Sequence, residues 1–107
     1  MNSAQTCTVI VTVDAEPDVL PDMEAHALIG LERFESHTGF LTATLYRNES
    51  GMRLVNVSEW TSLASYESCR DDPEWDRLAS TSTFFAHLDA GRATIDVQIF
   101  ERVEHNA

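Results

Sequence analysis

The sequence predicts an α+β domain of ferredoxin-like type, a split β-α-β-β-α-β arrangement with helices packed on an antiparallel sheet. Three observations predict it. Four stretches alternate apolar and polar residues with the period of a strand, at 6–14, 40–48, 52–60 and 92–103. A long stripe with helical period separates the first strand from the second, and a short polar connection joins the second to the third. A broken helical region then precedes the last strand.

Thr6 to Asp14 sets Cys7, Val9, Val11 and Val13 against Thr8, Ile10, Thr12 and Asp14, which gives one strongly apolar face. Ala15-Glu16-Pro17-Asp18 breaks this strand. Pro21 in a first turn, followed by Asp22 and Glu24, opens a helix whose stripe is Leu20, Met23, Ala27, Leu28, Leu31 and Phe34. Arg33 and His37 fall in its last turns, where positive charge complements the carbonyl end, and Gly39 is expected to close it as the residue after the C-cap.

Phe40 to Asn48 forms the second strand, and Glu49-Ser50-Gly51 is a hairpin loop into Met52 to Trp60, so these two strands pair antiparallel. Thr61-Ser62 supplies an N-cap for a helix running to about Arg70. Pro73-Glu74 starts a second short helix carrying Trp75, Leu78 and Ala79, with Trp75 as a core anchor. Residues 80–90 have no clear period; Phe84, Phe85 and Leu88 suit a loop or single turn over an apolar cavity. Arg92 to Val103 sets Ile95, Val97 and Ile99 against Asp96, Gln98 and Phe100 as the final strand. Several strands carry apolar residues on both faces, so two such sheets are expected to pack together as a homodimer.

At 107 residues the chain is read as a single domain over 1–107, and its 43% hydrophobic content fits a globular core. Its formal charge of −11 argues against nucleic acid and anionic membranes as partners. All seven basic residues are arginine, which removes Schiff-base chemistry and a phosphate-loop lysine. No apolar run has the length of a signal or membrane-spanning segment, so a cytoplasmic location is expected, with Cys7 and Cys69 as reduced thiols.

Four histidines invite a metal reading, but none is spaced as a ligand pair. His26 and His37 share a helix face yet lie roughly 16 Å apart along it, too far for one ion. Asp22 and His26 are expected to be a surface pair at i and i+4. Glycine-rich phosphate loops and a G-x-S-x-G nucleophile turn are both missing from the sequence, so no cofactor and no metal is expected.

The most informative stretch is Arg53 to Tyr66. Alternation places Leu54, Asn56, Ser58 and Trp60 on one side of the strand, while Arg53, Val55, Val57 and Glu59 share the other. Asparagine is disfavoured in strands and a buried amide requires partners, so Asn56 near Ser58 and Trp60 marks a polar spot in an apolar pocket. Tyr66, on the first turns of the following helix, can be brought back over that face. A strand amide is usually satisfied by backbone, a strand tryptophan is usually core, and a helix tyrosine usually sends its hydroxyl outward. Only the trio carries weight.

The spacing Asn56-x-x-x-Trp60 followed by Tyr66, with Thr38-Gly39-Phe40-Leu41 opening a strand after a long helix, resembles the antibiotic-biosynthesis monooxygenase family. These are small oxygenases that oxidise anthrones and quinols without a cofactor. The resemblance implies a dimeric α/β barrel with a cavity between each sheet and its own helices, a small aromatic substrate and O₂ as partners. It also implies catalytic roles for Asn56 and Trp60, as N–H donors to a developing oxyanion or peroxide, and for Tyr66 in handling protons. Ser58, Leu54, Phe84, Phe85 and Arg77 are the expected pocket residues, Arg77 standing nearest to an arginine of relatives that has no matching spacing here. Some relatives carry an asparagine on the first strand, where this chain has Asp14.

Two rivals use the same fold. Haem degradation needs an axial histidine after the tryptophan strand, and residues 61–80 contain none. A non-catalytic or cyclase-like ligand-binding dimer would use Asn56, Trp60 and Tyr66 as pocket lining only.

Overall fold

The computed structural model describes residues 6–75 and 83–103. Among them four strands and three helices run in the order β1 (Cys7–Ala15), α1 (Leu20–Glu35), β2 (Phe40–Arg47), β3 (Arg53–Trp60), α2 (Leu63–Arg70), α3 (Phe84–Asp89) and β4 (Ala93–Glu101). The strands form one antiparallel sheet in the order β2-β3-β1-β4, the ferredoxin-like topology predicted from the sequence.

Alternation decides which side of the sheet each residue takes. Cys7, Val9, Val13 and Ala15 of β1 and Leu54, Ser58 and Trp60 of β3 are buried, and β1–β3 register pairs Cys7 with Trp60, Val9 with Ser58 and Val13 with Leu54. All three helices pack on this face. Leu20 and Met23 of α1 and Phe84 of α3 join Val13, Ala15, Val19, Leu54 and Ala93 in one apolar cluster. Tyr66 and Cys69 of α2 join Cys7, Val9 and Trp60 in a second, with Phe34, Phe40 and Trp75 against it.

Local chemistry sets the element ends. Proline in the first turn, Asp22 beside it and Arg33 in the last turn agree with the dipole of α1. Ser62 caps α2 from an extended conformation, its Oγ accepting the backbone N–H of Ser65 at 3.1 Å. The side chain of Asn48 closes the β2–β3 hairpin by accepting from Met52 and Arg53, with Gly51 at positive φ in the turn.

Three expectations are corrected. Helix α1 ends at Glu35 and is capped by Ser36, so Gly39 is not its closing residue. Gly39 instead has φ +92° in the turn into β2, where a Cβ would lie 2.3 Å from Ser65 Oγ. Leu28 is 49% exposed and lies off the buried stripe of α1. Asp22 pairs with His87 at 3.0 Å, not with His26, whose ring stacks on Phe84 at 4.2 Å. A tertiary partner on α3 displaces the i, i+4 pairing expected within the helix.

No helix among the described residues is long and apolar enough to cross a membrane. The second face of the sheet, with Ile10, Val55, Val57 and Tyr46, lies away from all three helices.

Candidate functional site

Asn56 lies on the helix-facing side of β3, opposite Val11 of β1 and Leu45 of β2. The row continues to Val97 on β4, which pairs with Val11. Burial along β1 breaks at this row: Val9 is 1% and Val13 6% exposed, yet Val11 between them is only half-buried, as is Asn56 beside it. A central strand covered by helices should be buried throughout, so the helix layer stands off the sheet over the Leu45–Asn56–Val11–Val97 row. The two apolar clusters flank this gap, and Val11 touches both.

On this row, Asn56 Oδ1 is buried and has no hydrogen-bond partner among the described residues. Leaving such an acceptor unmade costs about 1–3 kcal/mol. Such a group calls for a donor, which a water or a bound molecule supplies; Arg33 Nε is the other buried side-chain atom of this kind among the described residues.

Trp60 is fully enclosed. Its Nε1–H donates to Ser58 Oγ at 3.0 Å, and both residues are buried. Phe34, Phe40 and Tyr66 surround the indole edge-to-face, with centroids at 5.3, 5.3 and 5.8 Å. The indole N–H therefore does not face the gap, as the sequence reading expected of a donor to an oxyanion; it is held by Ser58. Phe34 and Phe40, which fix the ring, were visible in the sequence only as ordinary stripe and strand residues.

Helix α2 places Tyr66 over Trp60, and burial there raises the phenol above its ordinary pKa, with Arg70 pulling the other way. At neutral pH the residue is thus held in its hydroxyl form. Cys69 on the same helix is driven by burial to about 11, and burial also raises Cys7. Both thiols are free, buried and poorly nucleophilic.

The other expected pocket residues divide. Leu54 and Phe84 meet in the first apolar cluster, on the far side of the gap from Trp60. Phe85 is 44% exposed, and its ring stands edge-on to Phe84 and His26. Burial against the two rings disfavours the charged form of His26 and lowers its pKa. Arg77 lies outside the described residues. Arginines 33, 47, 53, 70 and 92 are each paired with an acid. Asp14 alternates to the far face of the sheet and binds Arg53 at 2.6 Å, which lowers its pKa; it does not reach the gap. Among the described residues no group of three or more His, Cys, Asp or Glu is placed to hold a metal ion.

No protein-family model matches the sequence, and no curated protein matches it either. Solved structures do match the fold. SnoaB, a cofactor-independent oxygenase from Streptomyces nogalater, superimposes with a TM-score of 0.71 at 18% identity, over 95% of this chain and 97% of that one. Rv0793 from Mycobacterium tuberculosis gives 0.73 at 15% identity, over 95% and 99%. A protein of Deinococcus radiodurans, provisionally assigned as an antibiotic biosynthesis monooxygenase, gives 0.73 at 12% identity over 94% and 96%. At these identities the likeness is one of fold.

Proposed function

We propose that this chain is a cofactor-independent monooxygenase that oxidises a flat, electron-rich aromatic substrate, an anthrone or quinol, with O₂. For an anthrone the balance is substrate plus O₂ giving the quinone plus water. The deprotonated substrate is itself the reductant: its enolate passes an electron to O₂, the two radicals join as a peroxide, and loss of water leaves the new carbonyl. The protein then has only to bind the ring, exclude water and stabilise charge as it develops.

The observation that carries this reading is Asn56, whose Oδ1 has no partner among the described residues and which stands on the half-buried row between the two apolar clusters. Tyr66 serves as proton carrier behind it. The fold shared with SnoaB supports the reaction class. The test is oxygen uptake with an anthrone in chelator-treated, flavin-free buffer; the reading fails if uptake matches the protein-free rate.

One observation favours a second reading, a ligand-binding protein of the same fold. Trp60 has no exposed surface and its N–H is already engaged, as befits a pocket wall. That reading predicts tight binding of the anthrone with no uptake of oxygen.

We also propose that the working unit is a homodimer formed through the uncovered sheet face, where Ile10, Val55 and Val57 cluster with the exposed Tyr46. Sedimentation at micromolar concentration should give twice the 12.0 kDa chain mass; a stable monomer overturns this.

A further inference from the structure

We propose that the open apolar stripe of β4 takes its aromatic ligand in uncharged form and rejects carboxylates, the selection being made by Glu67 and Glu101 at one end of the stripe. The inference rests on the reading of the chain as a binder of flat aromatic rings and adds the charge class of what it binds.

Ile95, Val97 and Ile99 pair with Val13, Val11 and Val9 of β1, so alternation turns them to the side that carries the helices. They remain 44%, 47% and 45% exposed. Phe84 of α3 packs with Ala93 at one end of this stripe, and Tyr66 and Cys69 of α2 pack with Cys7 at the other, which leaves the stretch between the two helices accessible.

Glu101 follows Ile99 on the same side of β4, opposite Cys7, and is exposed. Glu67 stands next to Tyr66 on α2, the helix packed on that same cysteine, and is half-buried. Both carboxylates act on the Cys7 thiol and favour its neutral form, as nearby negative charges do. Two acids from two elements thus bound one end of an apolar stripe.

Arginines 33, 47, 53, 70 and 92 are each engaged by an acid. Arg102 follows Glu101 beyond the strand, and its single charge leaves the two acids in excess. The chain as a whole carries −11. Apolar walls of low dielectric focus such a field, so an anion approaching the stripe meets a repulsion that a neutral ring of the same shape does not. Seating a carboxylate on isoleucine and valine side chains adds a desolvation cost. Salt separates the two effects, because it screens the repulsion and leaves the desolvation in place.

The experiment is equilibrium dialysis of the full chain at neutral pH, without O₂, against 2-naphthylmethanol, 2-naphthoate and 2-naphthylmethylammonium. At about 10 mM salt, naphthoate should bind about fivefold or more weakly than naphthylmethanol. Raising the salt to about 0.5 M should tighten naphthoate, loosen the ammonium and leave naphthylmethanol nearly unchanged. Glu67→Gln combined with Glu101→Gln should at least halve the two ionic responses. Glu32→Gln combined with Glu49→Gln removes the same charge from α1 and the β2–β3 hairpin and should alter them less. Equal affinity for naphthoate and naphthylmethanol at low salt overturns the proposal, as do equal salt responses in the two double variants. It is overturned too if naphthylmethanol does not bind at millimolar concentration, an outcome that leaves the stripe to a second copy of the chain. Should the charge order hold while no anthrone is oxidised, the selection stands and the oxygenase reading falls. Oxidation of an anthrone by a chain that holds naphthoate as well as naphthylmethanol gives the reverse.

Discussion

Trp60 donates its single hydrogen-bonding proton to Ser58 Oγ at 3.0 Å, two residues back on the same strand, with neither side chain in contact with solvent. The indole thus contributes to the site through its packing and through the serine. Trp60→Phe keeps a six-membered ring against Phe34, Phe40 and Tyr66 but removes the N–H together with two ring carbons. Its expected cost is about 1–3 kcal/mol of stability, from the lost hydrogen bond and the space left behind, with turnover lowered by less than tenfold. Trp60→Ala should cost about 3–5 kcal/mol, because a buried ring is lost. Urea unfolding of both variants beside oxygen uptake checks this. A loss of a hundredfold or more in folded Trp60→Phe would show that the N–H reaches the reacting atoms directly.

Gly39 is the second fixed point. Its φ of +92° and the 2.3 Å approach of a built Cβ to Ser65 Oγ leave no room for a side chain where the turn into β2 meets the start of α2. The carbonyl of Gly39 itself accepts the N–H of Thr61 at 2.8 Å, so the turn cannot move away freely. Gly39→Ala should destabilise by more than about 1 kcal/mol and loosen α2, and with it Tyr66. Thermal melting gives the first effect. Gly51→Ala is the control: its φ is also positive, but a Cβ there meets nothing. Equal losses at the two positions would leave the close approach without effect.

The fold was legible because its signals are periodic. Alternation in β1 and β3 fixes which residues face the helices, so Asn56, Ser58 and Trp60 on one side follow from sequence spacing alone. Contacts that depend on distant parts of the chain were not legible. Asp22 chooses His87 over His26 although it lies 65 positions along the chain, and nothing local signals that choice. Phe84 and Phe85 look alike in sequence, but successive helical residues point about 100° apart, so only Phe84 enters the core. Leu28 fits the period of α1 yet falls outside the arc that the sheet covers. The direction of the Trp60 N–H depends on a rotamer, which residue spacing does not encode.

Burial of Cys69 makes stability depend on alkaline pH. Burial pushes its pKa in the folded protein up from the ordinary thiol value of 9.0 to about 11, because the thiolate would be desolvated, with Asp72 adding repulsion. Above pH 9 the unfolded chain loses this proton while the native state keeps it, so the unfolded state is favoured as pH rises. The stabilisation is fully present below pH 9 and is lost through pH 11, a total of about 2–3 kcal/mol for a two-unit shift. Cys69→Ala should flatten the pH 9–11 decline in urea-derived stability without abolishing it, since burial raises Tyr66 and Cys7 as well. An unchanged slope in Cys69→Ala would mean that the thiol ionises freely in the folded protein.

Asn56 is expected to affect stability and rate in opposite directions. Its Oδ1 is buried without a partner among the described residues, a burden on the native state that alanine removes. Asn56→Ala should therefore leave stability unchanged or raise it by up to about 1 kcal/mol, whereas truncating a well-bonded buried amide would lower it. If the Nδ2–H of this carboxamide, rather than its Oδ1, stabilises charge that develops on the substrate oxygen, losing it should cost about 2.7–4 kcal/mol in the barrier, as for one oxyanion-hole donor. That is a fall in kcat of about a hundred- to a thousandfold. KM should move much less, because the interaction strengthens as charge develops. Tyr66→Phe should be milder, since water can also carry the proton that the phenol relays. The measurement is steady-state oxygen uptake with an anthrone, paired with unfolding curves on the same samples. A variant destabilised by more than 1 kcal/mol with kcat intact would make Asn56 a structural amide with a partner in solution, and the active-site assignment would fall with it.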